Sequence, residues 1–189
     1  MQSYVIHFIR HGLTEANISG KYAGVWDIPV CDEGKKRLNN LKSKYIYPKI
    51  EKCYSSPLTR CLETSNIIYP EFTTEIIEDF RECDFGEWEG KSHKELLDNA
   101  QYIEWLKNNR QSNPPSGESG VEFRKRVCSA LENFVDMVVR NKIKSSAVFA
   151  HGGVISGILS VYGVPRADLL DWMVDNGCGY SVRIMPSLW

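Results

Sequence analysis

Two histidines stand in nearly the same local setting. The first ends the run "YVIHFIRHG", where Arg10, His11 and Gly12 follow an apolar stretch; the second ends "SAVFAHGG", at His151, Gly152 and Gly153. A third segment, "SSPLTR", places Arg60 a few residues past Ser56 and Pro57. Imidazoles beside guanidinium groups suit a phosphate. Arginine presents a planar fork of donors and does not lose its charge. Imidazole can attack, donate or accept near neutral pH. Glycine lets the chain turn sharply and come close to a ligand. Taken singly, these signs are weak: a strand-end histidine is more often structural, and an arginine is usually a surface residue. A metal site is the other chemical reading. Two histidines lacking an evident carboxylate or thiol partner give it little support, and adjacent arginines would repel a cation.

Elements must bring these residues together. Tyr4 to Ile9 is β-branched and aromatic and reads as a buried strand. Residues 32–45 read as a helix capped by Asp32, with Glu33 in its first turn and Leu38 and Leu41 on one side. Lys52 to Ser55 reads as a strand. A helix then starts with Ser56 as N-cap and Pro57 at its first position, and runs to about Ile68 before Pro70. "TTEIIED" reads as a third strand. Phe123, Val127, Leu131, Phe134, Val135 and Val138 form a stripe on a helix over Val121 to Val139. A strand over Ala147 to Ala150, a helix from about Val154 to Tyr162, and a last strand in "YSVRIMP" complete the chain. Helices alternate with strands, which predicts an α/β fold of three layers, α/β/α, around a mostly parallel sheet. In such a sheet, ligands bind beyond the carboxyl ends of the strands. If the two strands ending in His-Gly are neighbours, His11 and His151 converge.

Composition sets outer limits. The chain has 189 residues, 42% of them hydrophobic and 25% charged, so one domain over 1–189 is expected. The segment at about 83–120 reads as a lid-like excursion within it, rich in Trp, Tyr, Pro and Gly. Net charge is −1, from 23 basic and 24 acidic side chains, which gives no support for nucleic-acid or membrane binding. No apolar run is long enough for a membrane span, and the first residues do not read as a signal peptide. Six scattered cysteines, without a C-x-x-C pair, point to reduced thiols and a cytoplasmic protein rather than to zinc or a disulfide framework.

In their order along the chain, "RHGLTEAN" (10–17), "YAGVWDIPVCDEG" (22–34), "SSPLTRCLET" (55–64), "RECDFGEWEG" (81–90), "PPSGES" (114–119) and "FAHGG" (149–153) resemble the histidine phosphatase superfamily, the phosphoglycerate mutase-like proteins. Each piece is modest; together they cover nearly the whole chain and are specific. The resemblance implies a metal-independent phosphomonoesterase with no cofactor, acting through a phosphohistidine. It implies that His11 is the nucleophile, with its other ring nitrogen donating to a backbone carbonyl. Arg10, Arg60 and His151 would complete the phosphate pocket. Asn17, the backbone around Ala23 and Gly24, and the amide of Gly152 would contact the phosphate or nearby oxygens. Glu82 would be the general acid–base residue.

Two arginines beside His11 should disfavour its protonated form. They and His151, charged or donating, would stabilise the transferring group, for which positioning and charge dominate. Leu13, Cys31 and Asp32 depart from the family's usual residues, which bears on helix capping and the rim of the site.

The chain lacks room for the helical insertions of the glycolytic mutases, which favours a phosphatase. Within the family, "RECDFGEWEG", "YIEWL" (102–106), "PPSGES…FRKRV" and "MVDNGCGYSVRI" resemble the alpha-ribazole phosphatases of cobalamin biosynthesis. Other small phosphates, or weak mutase activity, are the alternatives. A small phosphorylated substrate is the only partner implied, and the resemblance leaves a homodimer open. An aromatic substrate group could pack on Trp88, Tyr102, Trp105 or Trp26. Trp105, with Tyr102 and Ile103 nearby, reads better as interior.

Overall fold

The computed structural model describes residues 3–108 and 110–185. Five strands form one sheet in the order β3-β2-β4-β1-β5. They are β1 (Tyr4–Arg10), β2 (Lys52–Ser55), β3 (Thr74–Ile76), β4 (Ser145–Ala150) and β5 (Gly179–Ile184). The pairs β1–β4, β4–β2 and β2–β3 are parallel, and β5 runs antiparallel to β1. Among the described residues six α-helices accompany them: α1 (Glu15–Ile18), α2 (Asp32–Lys44), α3 (Thr59–Ile68), α4 (Ala100–Lys107), α5 (Gly120–Arg140) and α6 (Gly152–Tyr162).

The period-2 alternation of β1 sends its side chains to two different cores. Tyr4, Ile6 and Phe8 join the stripe of α5 and the inner face of α6. Ile9 joins Leu38 of α2, Cys61 and Ile68 of α3, and Ala147 and Phe149 of β4. The sheet is therefore covered on both faces, which explains why β4 is buried along nearly all its length. All six stripe residues expected on α5 are buried. The α/β class and the mostly parallel sheet are as the sequence predicts.

Several boundaries differ, each for a local reason. Cys31, not Asp32, is the N-cap of α2, its Sγ accepting from the Gly34 amide. Asp32 is the first residue inside the helix, where a carboxylate meets the positive end of the helix dipole. Helix α3 starts at Thr59, not after Ser56. Its cap comes from far along the chain: Asp27 accepts from both the amide and the hydroxyl of Thr59, at 2.7 Å each. Ser56 is thereby released for another contact. Helix α6 starts at Gly152, two residues before the expected Val154, with His151 as its N-cap. Strand β3 is only three residues long, shorter than "TTEIIED". Pro186, at the end of the expected last strand, lies outside the described residues.

The segment between β3 and α5 carries α4 and three short 3-10 turns, Glu78–Phe80, Gly86–Trp88 and Lys94–Leu96. It has a core of its own, made of Trp88, Leu96, Tyr102 and Trp105 with Tyr22 and Phe85 packed against them. Among the described residues no helix is long and apolar enough to cross a membrane.

Candidate active site

Strands β1 and β4 are parallel neighbours with Arg10 opposite Ala150. His11 and His151 each follow directly, and their rings lie 5.3 Å apart between centroids, tilted by 57°. The juxtaposition expected from two His-Gly strand ends is present. Both side chains are buried, His151 completely.

The protonation pattern of His11 follows from its partner. Its Nδ1 lies 2.7 Å from the carbonyl oxygen of Gly12, which can only accept. Nδ1 therefore carries the proton, and Nε2 is left with the lone pair that a nucleophile needs. Burial, then the charge of Arg60, and more weakly that of Arg10, push the imidazole down to about 3, against the opposing pull of the Gly12 hydrogen bond. The ring is neutral at any ordinary pH. Burial outweighs the arginines, which act in the expected direction. The loop behind the ring is fixed from two sides: the Gly12 amide donates to Thr64 Oγ1 at 2.8 Å, and Asn176 Nδ2 donates to the His11 carbonyl at 2.9 Å.

His151 is held at both nitrogens. Arg60 Nε donates to Nδ1 at 3.3 Å, so Nε2 carries the proton and donates to Ser56 Oγ at 2.7 Å. Burial first, then Arg60, hold this ring well below the ordinary histidine value. In this arrangement His151 meets a ligand as a neutral ring whose proton is already shared with Ser56. The fixed positive charge is that of the two arginines.

Arg60, 1% exposed, is the centre of the cluster. Besides His151, it donates from Nη1 to the Trp26 carbonyl at 2.9 Å, and from Nη2 to the carbonyls of Ala23 at 3.2 Å and Gly24 at 2.6 Å. Four of its five donors are thus committed, and one N–H remains for a ligand. Ala23 and Gly24, expected near the phosphate, face Arg60 through their carbonyls. The Gly24 amide is taken by Glu89 Oε2 at 2.8 Å. Gly24 has no room for a side chain: a Cβ would lie 1.7 Å from the Cys83 carbonyl oxygen.

Arg10 donates from Nη1 to the Val174 carbonyl at 2.7 Å, while its buried Nε has no partner. An unpaired buried donor on a cation is costly unless a ligand meets it. A phosphate oxygen would do so. Gly152 lies against the same guanidinium: a Cβ there would sit 3.4 Å from Arg10 Nε. Asn17 uses its Oδ1 to close the capping box of α1 with Thr14 and to accept, at 3.4 Å, from Asn176. Its amide hydrogens are what it can offer a ligand.

Glu82 arrives from the covering segment. Its Oε2 accepts from the Gly153 amide at 2.9 Å, in the first turn of α6, and its Oε1 from the Cys83 amide at 2.9 Å. Burial raises the carboxyl, and these two amides and the arginines oppose it without reversing the direction. A Cβ at position 153 would come within 2.5 Å of Glu82 Oε1. The second glycine of "HGG" is thus the opening through which the carboxylate reaches the helix end. Among the described residues no group of three or more His, Cys, Asp or Glu side chains gathers where it could hold a metal ion.

The family model described as the histidine phosphatase superfamily, branch 1, matches residues 6–189. The chain belongs to that superfamily. Among curated relatives of this histidine phosphatase is the adenosylcobalamin/alpha-ribazole phosphatase of Escherichia coli (strain K12). It is 28% identical over 182 residues, which cover 93% of this chain and 88% of the relative. Phosphoserine phosphatase 1 of Hydrogenobacter thermophilus is 29% identical over 128 residues, 66% of this chain and 61% of its own length. Among solved structures, the alpha-ribazole phosphatase of Shigella flexneri superposes with a TM-score of 0.82 at 26% identity, over 96% of this chain and 91% of that one.

The contributions of Ser56, read from the sequence as a helix cap, and of Thr64, Glu89 and Asn176 to the site were not expected. Ser56 and Thr64 lie inside "SSPLTRCLET", Glu89 inside "RECDFGEWEG" and Asn176 inside "MVDNGCGYSVRI", so their segments were marked while their tasks were not.

Proposed function

We propose that this histidine phosphatase is a phosphomonoesterase that works through a phosphohistidine at His11. One observation carries this reading above the others: His11 is buried and neutral, with Nδ1 tied to a carbonyl and the Nε2 lone pair left within the field of Arg60 and Arg10. His11 Nε2 attacks phosphorus, an N–P bond forms and the ester P–O bond breaks. Glu82, whose raised carboxyl favours the protonated form, gives its proton to the leaving oxygen. Water then attacks the phosphohistidine. The P–N bond breaks, Glu82 takes the proton from water, and the products are an alcohol and phosphate. Arg10 and Arg60 stabilise the charge on the transferring oxygens, Asn17 and the Gly152 amide assist, and the loop at Ala23 and Gly24 keeps Arg60 in place.

Rapid mixing with labelled substrate, followed by an alkaline denaturing quench that preserves the acid-labile N–P bond, should trap label on His11. His11→Ala should lose at least about 10⁴-fold in kcat/KM. Full activity in that variant would sink the mechanism.

For the substrate, we infer alpha-ribazole 5'-phosphate. The similarity to proteins named alpha-ribazole phosphatases supports this, as does Trp26, which is 41% exposed while its backbone holds Arg60. The other aromatic candidates, Trp88, Tyr102 and Trp105, are buried in the core of the cover, where their rings pack on one another. Six unpaired thiols suit a reducing, cytoplasmic setting. A panel of alpha-ribazole 5'-phosphate, phosphoserine and 3-phosphoglycerate decides the matter. The expected result is at least about a tenfold preference in kcat/KM for the first, the size of one good apolar contact. Equal efficiencies, or a preference for phosphoserine, would overturn the substrate assignment and leave the mechanism standing.

A further inference from the structure

Glu82 lies in an irregular stretch between two 3-10 turns, Glu78–Phe80 and Gly86–Trp88, so no strand or helix ladder fixes its backbone. One side chain substitutes for that ladder. Arg126, on the second turn of α5, donates from Nη1 to the carbonyls of Asp79 at 2.7 Å and Arg81 at 3.0 Å, and from Nη2 to that of Glu82 at 3.4 Å. The same guanidinium binds the Glu118 carboxylate through two bonds, Nε to Oε1 at 2.9 Å and Nη2 to Oε2 at 2.6 Å. The pair is only 12% and 16% exposed. Glu118 is tied in turn to the segment beyond Glu82, its amide donating to the Asp84 carbonyl at 2.8 Å. The Ser119–Glu122 capping box starts α5 directly after Glu118 and sets the register that brings Arg126 opposite it.

We propose that Arg126, locked by Glu118, is the positioning residue for Glu82: it holds the backbone of residues 79–82 so that the carboxyl reaches the leaving oxygen over α6. The proposal rests on reading Glu82 as the acid–base group. A bidentate pair with three further carbonyl contacts uses the planar fork of arginine. Lysine, a point charge with rotating donors, cannot reproduce it. A loss of acid–base positioning has a signature that general destabilisation lacks. An alkyl phosphate needs a proton on its leaving oxygen, whereas p-nitrophenyl phosphate expels a stable anion and does not.

Phosphorylation of His11 is therefore measured by pre-steady-state burst with p-nitrophenyl phosphate and by single turnover with an alkyl phosphate. The proteins compared are wild type, Glu82→Gln, Arg126→Lys, Glu118→Gln and the double variant Glu82→Gln/Arg126→Lys. Glu82→Gln should slow the alkyl ester about 10²–10⁴-fold and the nitrophenyl ester by less than about tenfold. Arg126→Lys should show the same split, about 10–10²-fold against less than about threefold, and Glu118→Gln a smaller copy of it. In the double variant, Arg126→Lys should add nothing further on the alkyl ester. If Arg126→Lys slows both esters equally, or its effect multiplies with that of Glu82→Gln, the positioning role is overturned while the acid role stands. If Glu82→Gln itself shows no split, the acid role fails and the positioning role with it. Should Arg126→Lys fail to fold, Glu118→Gln and its combination with Glu82→Gln decide by the same two criteria.

Discussion

Two regions supply this site, and they are built differently. The carboxyl edge of the sheet contributes Arg10, His11 and His151 from the ends of two paired strands, and Arg60 from the first turn of a helix packed on them. The covering segment contributes Glu82 from backbone with little regular structure, stabilised by a small aromatic core of its own. The first region is buried by the main fold, and the second is fastened to it through side chains. In the proposed mechanism, phosphate recognition and attack thus belong to the main frame. Proton transfer then belongs to an attached piece, and the two can be perturbed separately.

Trp88→Ala tests that separation most severely. The ring is 1% exposed and packs edge-on against both Tyr102 and Trp105, at centroid distances of 5.3 and 5.2 Å. Truncation should cost about 3–5 kcal/mol of local stability. Hydrogen exchange should then show lost protection over the cover, residues 85–106, with β1 and β4 unchanged. Equal loss in those strands would mean that the cover and the sheet are one cooperative unit, and the comparison would fail. Arg60→Lys strikes the other region. A lysine cannot make the contacts to His151, Trp26, Ala23 and Gly24 together, so kcat/KM should fall by about 10²–10³, with alkyl and nitrophenyl esters affected alike. A leaving-group split here would blur the division of labour.

The frame was readable in the sequence because its signals are local. Apolar runs that end in His-Gly, an amphipathic stripe on α5 and alternating elements identify strands, helices and the convergence of two histidines. The fastenings were not readable, because each is tertiary. Ser56 meets His151 across 95 residues, Asn176 meets His11 across 165, and Arg126 meets Glu82 across 44. Ser56 looked like a helix cap for sound local reasons, since Ser-Pro favours a helix start. Asp27 takes that task from a distant loop, and the serine turns to the histidine instead. Trp88 and Tyr102 could equally have faced a ligand; only the packing of the cover puts them in its interior.

Acidification should act on the two regions with opposite signs. His11 titrates near 3 when folded and near 6.5 when unfolded. As pH falls below about 6.5 the unfolded chain gains a proton that the folded chain refuses, so stability falls with pH. His151 acts in the same direction. At pH 5, His11 alone accounts for about 2 kcal/mol of lost stability relative to pH 7 and above. Glu82 works the other way: its carboxyl is raised in the folded state, so protonation below that raised value favours folding. Urea unfolding at pH 7 and pH 5 checks the sum. His11→Asn should lose less stability over that interval than wild type, by about 2 kcal/mol. An unchanged difference would mean that His11 is not buried and neutral.

The smallest expected effect concerns the seam between the regions. Trp26 sits on the loop whose carbonyls hold Arg60, and its ring lies over Gly90 of the cover, where an added Cβ would meet it at 3.6 Å. Its backbone therefore serves the frame, and its exposed indole stands at the border with the cover. Trp26→Ala keeps the carbonyl that Arg60 needs, so phosphorylation of His11 by a small alkyl phosphate should change by less than about threefold. For a substrate with an aromatic group, KM should rise about tenfold, the size of one lost ring contact of about 1.4 kcal/mol, with kcat nearly constant. A fall in kcat on both substrates would show instead that the indole supports Arg60 rather than the substrate. The seam would then belong to the phosphate frame alone.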